Sequence, residues 1–429
     1  MLFEPQKITS SRHKKNPVFS GGSRYNSGPK SDRVEEPCRE KGAKLMKIEP
    51  GSLTGNILRD DILITTACSV RADKQILSVF SESEAYVYKT LSDMKRRKLI
   101  LTGSGSDAQL ALTVDAIREL EKIAPKLHRF YMQYSNNNHP GLTESHKSGY
   151  KRVSEITACM RQAGVLVGPE KASVADIYSG KEEKLTLENQ GATFFMNKEL
   201  RGPEGVKENR STISRSSGVL FSAGLTALVY NCGNRSIKFG RVAEKTAKAR
   251  LVSHMKSIYA DIPPHEPMHS IVFCDNDNIA LEIFKSVTNS ASAKTNLFGD
   301  AVRSKKVIGT EILYIPVSAA GAKLLHWLST YGPAHITASC FDKEEIYNAS
   351  RLGLGDAIIK DLICYEFISC NLSKLEVARQ KRKEGVKVGI ICTQPQLDFV
   401  VEYIGPPAPL PVRVLSEQEI QRRLVERRG

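Results

Sequence analysis

Apolar positions follow a helical period early in this chain and settle later into an alternation of strands and helices. Residues 73–80 (DKQILSVF) are a short amphipathic segment of helical spacing. Ser81 and Glu84 then stand three apart as a Ser-x-x-Glu capping box, whose side chains satisfy free amides at a helix start. The helix opened there runs to about Arg97 and sets Val87, Leu91 and Met94 on one side, the side expected to pack. Ser83, Tyr86, Lys89 and Thr90 are expected on the outer side. Residues 99–102, a turn of Gly103, Ser104, Gly105 and Ser106, and residues 109–112 predict a hairpin. Thr113 caps a closing helix over 114–121.

From Lys151 the pattern changes. A helix is expected over 153–163, short strands near 192–196 and 212–213, and a clear hairpin from 218–222 and 226–230. A basic helix (242–256), a buried strand (270–274) and a helix (278–287) follow, then a strand over 311–316 and a helix over 321–329. The order returns with a hairpin (356–360 and 363–368), a basic helix (373–383), a strand (386–392) and a helix (396–404). Hairpin, helix, strand, helix in both halves predicts an α/β (α+β) fold, either duplicated internally or built on one large mixed sheet. The expected division is a basic arm without periodicity at 1–50, a helical unit with its hairpin at 51–130 and a linker at 131–150. Two α/β units follow at 151–300 and 301–410, and then an Arg-rich helical tail at 411–429, capped by Ser416.

Two helices joined by a tight turn and followed by a hairpin describe a winged helix-turn-helix. In that arrangement the second helix enters the major groove and the wing rests on phosphates. Lys95, Arg96, Arg97 and Lys98 fall at the helix-to-wing junction, where backbone contacts are expected. Many such units bind protein, and a KRRK run is often a solvated face. Composition favours a polyanion: 62 Lys and Arg against 47 Asp and Glu leave a formal charge of +15. No run approaches the ~20 apolar residues of a membrane span, and the first residues lack the apolar core of a signal peptide. Nine cysteines without a Cys-x-x-Cys pair read as reduced thiols of a cytoplasmic protein.

The second half invites a test for nuclease chemistry. Hairpin–helix–strand–helix is the core order of restriction-endonuclease-like folds. Their site needs an acid at the hairpin start, an Asp or Glu on its second strand and a Lys two residues beyond, so that the acids hold a hard divalent ion. The first unit carries Ser216, Ser217, Tyr230 and Asn231 at those places and holds no metal by carboxylates. Arg215 and Lys245 are then phosphate contacts or ordinary surface charges. In the second unit Asp356 and Glu366 are spaced for two metal-ligating acids, but position 368 is Ile and the nearest lysine is Lys374 on the following helix. No metal site and no cofactor is expected, with magnesium or manganese entering only if that unit cleaves. His139 and His146 read as polar surface, His326 and Trp327 as packing, and Cys364, Cys370 and Cys392 as core. Asp275 and Asp277, just past a strand, suit a cleft or a helix N-cap.

The segments SESEAYVYKTLSDMKRRKLI, LALTVDAIRELE, SRSSGVLF, ALVYN, EKTAKARL and SIVFC together resemble the replication-relaxation proteins of Gram-positive plasmids and conjugative elements. The resemblance covers about residues 57–290. It implies a winged helix before a restriction-endonuclease-like domain and a role in plasmid replication or mobilisation. This chain has Ser216-Ser217 and Tyr230-Asn231 where that family often has Pro-Asp and then Glu. The expected function is therefore a DNA-binding accessory protein of a mobile element, with double-stranded DNA, a relaxase or replication protein, or a second copy of itself as partners, and no membrane. Two alternatives stand beside it: a divergent metal-dependent nuclease using Asp356 and Glu366, and a winged-helix transcriptional regulator.

Overall fold

The structure is a computed structural model that describes residues 55–80, 83–103, 109–135, 144–172, 179–186, 191–200, 216–235, 256–260, 269–289, 311–352, 354–406 and 409–427, with a few isolated positions besides. Expectations for the basic arm, Ser81, the tip of the first hairpin, His139, residues 212–213, Arg215, Lys245 and most of the helix at 242–256 lie outside the described residues.

The described residues form a mixed α and β structure with three sheets. Helix α1 (Ile57–Ser69) opens on Asn56, whose Oδ1 accepts from the Arg59 amide at 2.9 Å. Strand β1 (Arg71–Asp73) leads into a 3-10 helix (Lys74–Val79) whose first turn is closed by the Asp73 carboxylate accepting from the Gln75 amide at 2.8 Å. Helix α2 (Glu84–Arg96) follows, then β2 (Ile100–Thr102), β3 (Gln109–Leu112), α3 (Val114–Ile123) and α4 (Pro125–Ser135). The three strands form an antiparallel sheet in the order β1–β3–β2.

Helix α5 (Glu144–Gln162) turns no side to solvent along most of its second half: every residue from Ser154 to Met160 is buried. It is wedged between the N-terminal unit and the next sheet, which explains that burial. That sheet runs β4 (Thr193–Met196), β5 (Gly218–Phe221), β6 (Thr226–Gly233), β7 (His269–Cys274) and β8 (Ile312–Pro316) in spatial as well as chain order. Strands β4–β5 and β5–β6 pair antiparallel, β6–β7 and β7–β8 parallel. Side chains alternate across it: Phe194, Leu220, Val229, Ile271 and Leu313 enter one core with α5, while Phe195, Val219, Leu228, Val272 and Tyr314 enter another. Helix α6 (Asp277–Asn289) belongs to the second core. The long α7 (Ala319–Cys340) belongs to the first and is kinked at Gly332 and Pro333.

After α8 (Lys343–Leu352), a four-stranded sheet is ordered β12–β11–β10–β9. Strands β9 (Ala357–Ile359) and β10 (Leu362–Glu366) form an antiparallel hairpin. Helix α9 (Leu372–Lys383) leads to β11 (Val388–Thr393), parallel to β10, and α10 (Leu397–Ile404) leads to β12 (Val412–Leu415), parallel to β11. Helix α11 (Glu417–Glu426) is capped by Ser416 and packs on α7, where the Trp327 indole donates to Gln421 at 3.0 Å.

Four expectations need correction. Within the 131–150 linker, residues 131–135 end α4 and residues 144–150 begin α5, and these helices close over α1 and the first sheet. Helix α2 is capped by Ser83, which makes Glu84 its first residue rather than its third. Among the described residues the two α/β units share no sheet, yet the boundary at 300 is misplaced, since β8 completes the first sheet. The C-terminal helix expected after Ser416 is present, but it is not a unit apart: β12 extends the second sheet, and Leu415, Ile420 and Leu424 are buried.

Candidate functional site

Helix α2 presents one open face. Val87, Leu91 and Met94 are buried, as their spacing implies, and Thr90 is buried with them at 4% exposure. Thr90 was expected outside; lying one turn from both Val87 and Met94, it falls in the middle of the packed stripe. The outer face consists of Ala85, Tyr88, Lys89, Ser92, Lys95 and Arg96. Tyr88, 54% exposed, is its largest apolar group and escaped the sequence reading, although it lies one turn before Ser92 and two turns before Lys95. Ser83 and Tyr86 are exposed but engaged. The Ser83 hydroxyl accepts from the Tyr86 amide at 3.4 Å, and the Tyr86 hydroxyl accepts from Asn56 Nδ2 at 2.8 Å.

The KRRK run ends this helix. Lys98 has φ +55°, and the Leu99 amide turns back to the Met94 carbonyl, a left-handed C-terminal closure that leads directly into β2. Arg96 and Arg97 do not stand alone. Asp93 Oδ1 holds Arg96 Nη2 at 2.6 Å, and its Oδ2 holds Arg97 Nε at 2.9 Å and Arg59 Nη2, from α1, at 2.8 Å. These guanidinium groups, Arg96 first, hold the Asp93 carboxyl below its ordinary range. Neither Asp93 nor Arg59 was singled out from the sequence.

The second group brings Asp356 and Glu366 together, as their spacing anticipated, and supplies the lysine that the strand itself lacks. Lys374 Nζ lies 2.7 Å from Glu366 Oε1 and 3.1 Å from Asp356 Oδ1. Asp356 Oδ2 accepts from the Glu366 amide at 3.0 Å. Glu366 also accepts from the Ser369 hydroxyl at 2.5 Å, the Ser369 amide at 2.9 Å and the Thr337 hydroxyl at 2.8 Å. Burial opposes ionisation of Glu366, but Lys374 and Ser369 outweigh it and hold its carboxyl below the ordinary value; Asp356 moves up, chiefly through burial. Every carboxylate oxygen thus has a donor, and an ammonium group fills the place between the acids that a divalent ion needs. As arranged, the pair does not fit a metal. Among the described residues no group of three or more His, Cys, Asp or Glu side chains is placed to hold one.

A third polar cluster lies where the N-terminal unit meets the first sheet. Asn231, at the end of β6, donates to Glu155 Oε2 at 2.7 Å, and Lys151 Nζ lies 2.8 Å from Asp275 Oδ2. Gln75 donates to the Asp275 carbonyl at 2.9 Å, and the Asp73 amide donates to Ser154 at 3.1 Å. Glu155 is fully buried, and its carboxyl is pushed up to about 7 by burial, with Asp275 and Asp73 adding repulsion. Asp275 is therefore an ion-pair partner. Asn276 caps α6, its Oδ1 accepting from the Ile279 amide at 3.0 Å, and Asp277 accepts from the Tyr314 hydroxyl at 2.6 Å. His326 and Trp327 pack as expected, bonded to the Ala163 carbonyl and to Gln421.

No protein-family model, curated protein or solved structure matches this chain. No helix among the described residues is long and apolar enough to cross a membrane.

Proposed function

We propose that this protein binds duplex DNA through residues 57–112, acting as a winged helix, and serves as an accessory factor in the replication or mobilisation of a mobile element. One observation carries the reading. Helices α1 and α2 and the 3-10 helix are closed by the β1–β3–β2 sheet, and the face of α2 that bears Tyr88, Lys89, Ser92 and Lys95 stays open beside the β2–β3 hairpin. A helix presented in this way suits a major groove, with the hairpin over the neighbouring phosphates. The excess of cations over anions supports association with a polyanion. The α/β half, with its acids tied up by Lys374, serves in this reading as a scaffold that engages a relaxase, a replication protein or a second copy of the chain.

The test is fluorescence anisotropy with labelled duplexes over a salt series. Replacing Lys89, Lys95 and Lys98 together by Glu is expected to weaken binding by more than about tenfold and to flatten the salt dependence by about three phosphate contacts. Unchanged affinity and slope would sink the proposal. Manganese-dependent cleavage that vanishes in Asp356→Ala would instead restore the nuclease alternative.

A further inference from the structure

The three arginines around Asp93 are unequal in number to the charge they surround. One carboxylate holds Arg59, Arg96 and Arg97, which leaves the cluster with a net charge of +2 at the end of α2. A helix C-terminus by itself repels anions, so this excess reverses the local sign. Arg59 is anchored, with its side chain only 11% exposed, whereas Arg96 and Arg97 are 80% and 55% exposed. Each guanidinium has five N–H donors, and the contacts to Asp93 engage Nη2 of Arg59, Nη2 of Arg96 and Nε of Arg97. The outward arginines therefore retain donors that face solvent from a position set by α1.

We propose that Arg59, Arg96 and Arg97, gathered by Asp93, form one preorganised site for a backbone phosphodiester, and that Asp93 is its positioning residue. The inference rests on the duplex-binding reading and specifies how it is achieved. An unrestrained arginine loses rotamer freedom when it grips a phosphate. Here the carboxylate has already fixed the fork, and two planar guanidinium groups match the two free oxygens of the diester. A carboxylate at a DNA-facing surface would otherwise oppose binding.

That opposition makes the test sharp. Asp93→Asn removes a negative charge, so simple electrostatics predicts tighter binding, whereas a positioning role predicts weaker binding. With the full chain and one labelled duplex, Asp93→Asn is expected to lose about three- to tenfold in affinity, while Glu84→Gln, the same charge change on the first turn of the helix, binds as well as or better than the unaltered chain. Arg96→Gln is expected to cost affinity in the unaltered background and little more in the Asp93→Asn background, because the two changes remove the same site. Asp93→Glu should recover part of the loss. Circular dichroism melts check that Asp93→Asn still folds; if it does not, Arg96→Gln with Arg97→Gln, both exposed, carry the test and must weaken binding beyond the Lys89→Gln loss. Tighter binding by Asp93→Asn, or fully additive losses with Arg96→Gln, overturns the inference. If the unaltered chain binds no duplex, the DNA reading itself falls and this site falls with it.

Discussion

Lys374 balances the buried Glu366 and the partly buried Asp356 at once, and its removal leaves both without a counter-charge. Lys374→Met is expected to destabilise the fold by about 3–5 kcal/mol, read as a lower urea midpoint, because an unpaired buried charge costs more than a buried pair gains. Glu155 poses the opposite problem, a carboxyl raised to about 7 from an ordinary 4.5. Its folded form keeps a proton that the unfolded chain releases. The stabilising contribution is thus complete below about pH 4.5, declines as pH rises through the window and is gone above about 7, a change of about 3 kcal/mol. Glu155→Gln, which keeps an acceptor for Asn231, should raise the melting temperature at pH 8 and flatten its slope between pH 5 and 8; an unchanged slope would assign that titration elsewhere. Asp356 and Glu366 were legible as a pair because strand spacing is local. Lys374 was visible only as a neighbour in sequence: the turn from Phe367 to Asn371 brings α9 back over the strand, which no spacing rule reports.

Among the elements, α7 shows what a local pattern misses. The Gly332-Pro333 step argues for a helix end, and the expected helix stopped at 329. Yet the helical path resumes to Cys340, because the β5–β6 turn abuts the kink. Gly332 has φ +78°, and a Cβ there would meet the Gly224 carbonyl oxygen at 2.3 Å. Gly332→Ala is therefore expected to cost more than about 2 kcal/mol in thermal or urea unfolding, from a left-handed backbone and a backbone clash together. The kink also sets Thr337 against Glu366, so the same variant should lower the stability of the buried acid network. The hairpins at 218–233 and 357–366 were readable from alternation and turn residues. Helix α1 was not read, since it is buried along nearly its whole length and carries no clean polar stripe.

At the scale of the whole molecule, α5 decides the organisation. It contacts α1, β1, the 3-10 helix, α7 and β6, so the DNA-binding candidate and the first sheet share one core. A fragment spanning residues 51–140 is expected to lack a cooperative thermal transition, because Ile62, Cys68 and Ile76 lose their cover; a sharp melt would show that unit to be autonomous. The polar seam of Asp73, Gln75, Lys151, Glu155 and Asp275 crosses the same junction, so the pH dependence of Glu155 bears on how the two parts hold together.

Amphipathic spacing, capping residues and turn chemistry by themselves determined most helices and hairpins, the repeated element order of the second half and the open, basic character of α2. Those features depend on neighbours within a turn or a strand, which the chain states directly. The tertiary structure alone decided that β8 joins β7, that Thr90 faces inward, that Lys374 sits between two acids and that one carboxylate gathers arginines from two helices. These contacts depend on which apolar faces close against each other, and packing between distant segments leaves no period in the chain to read.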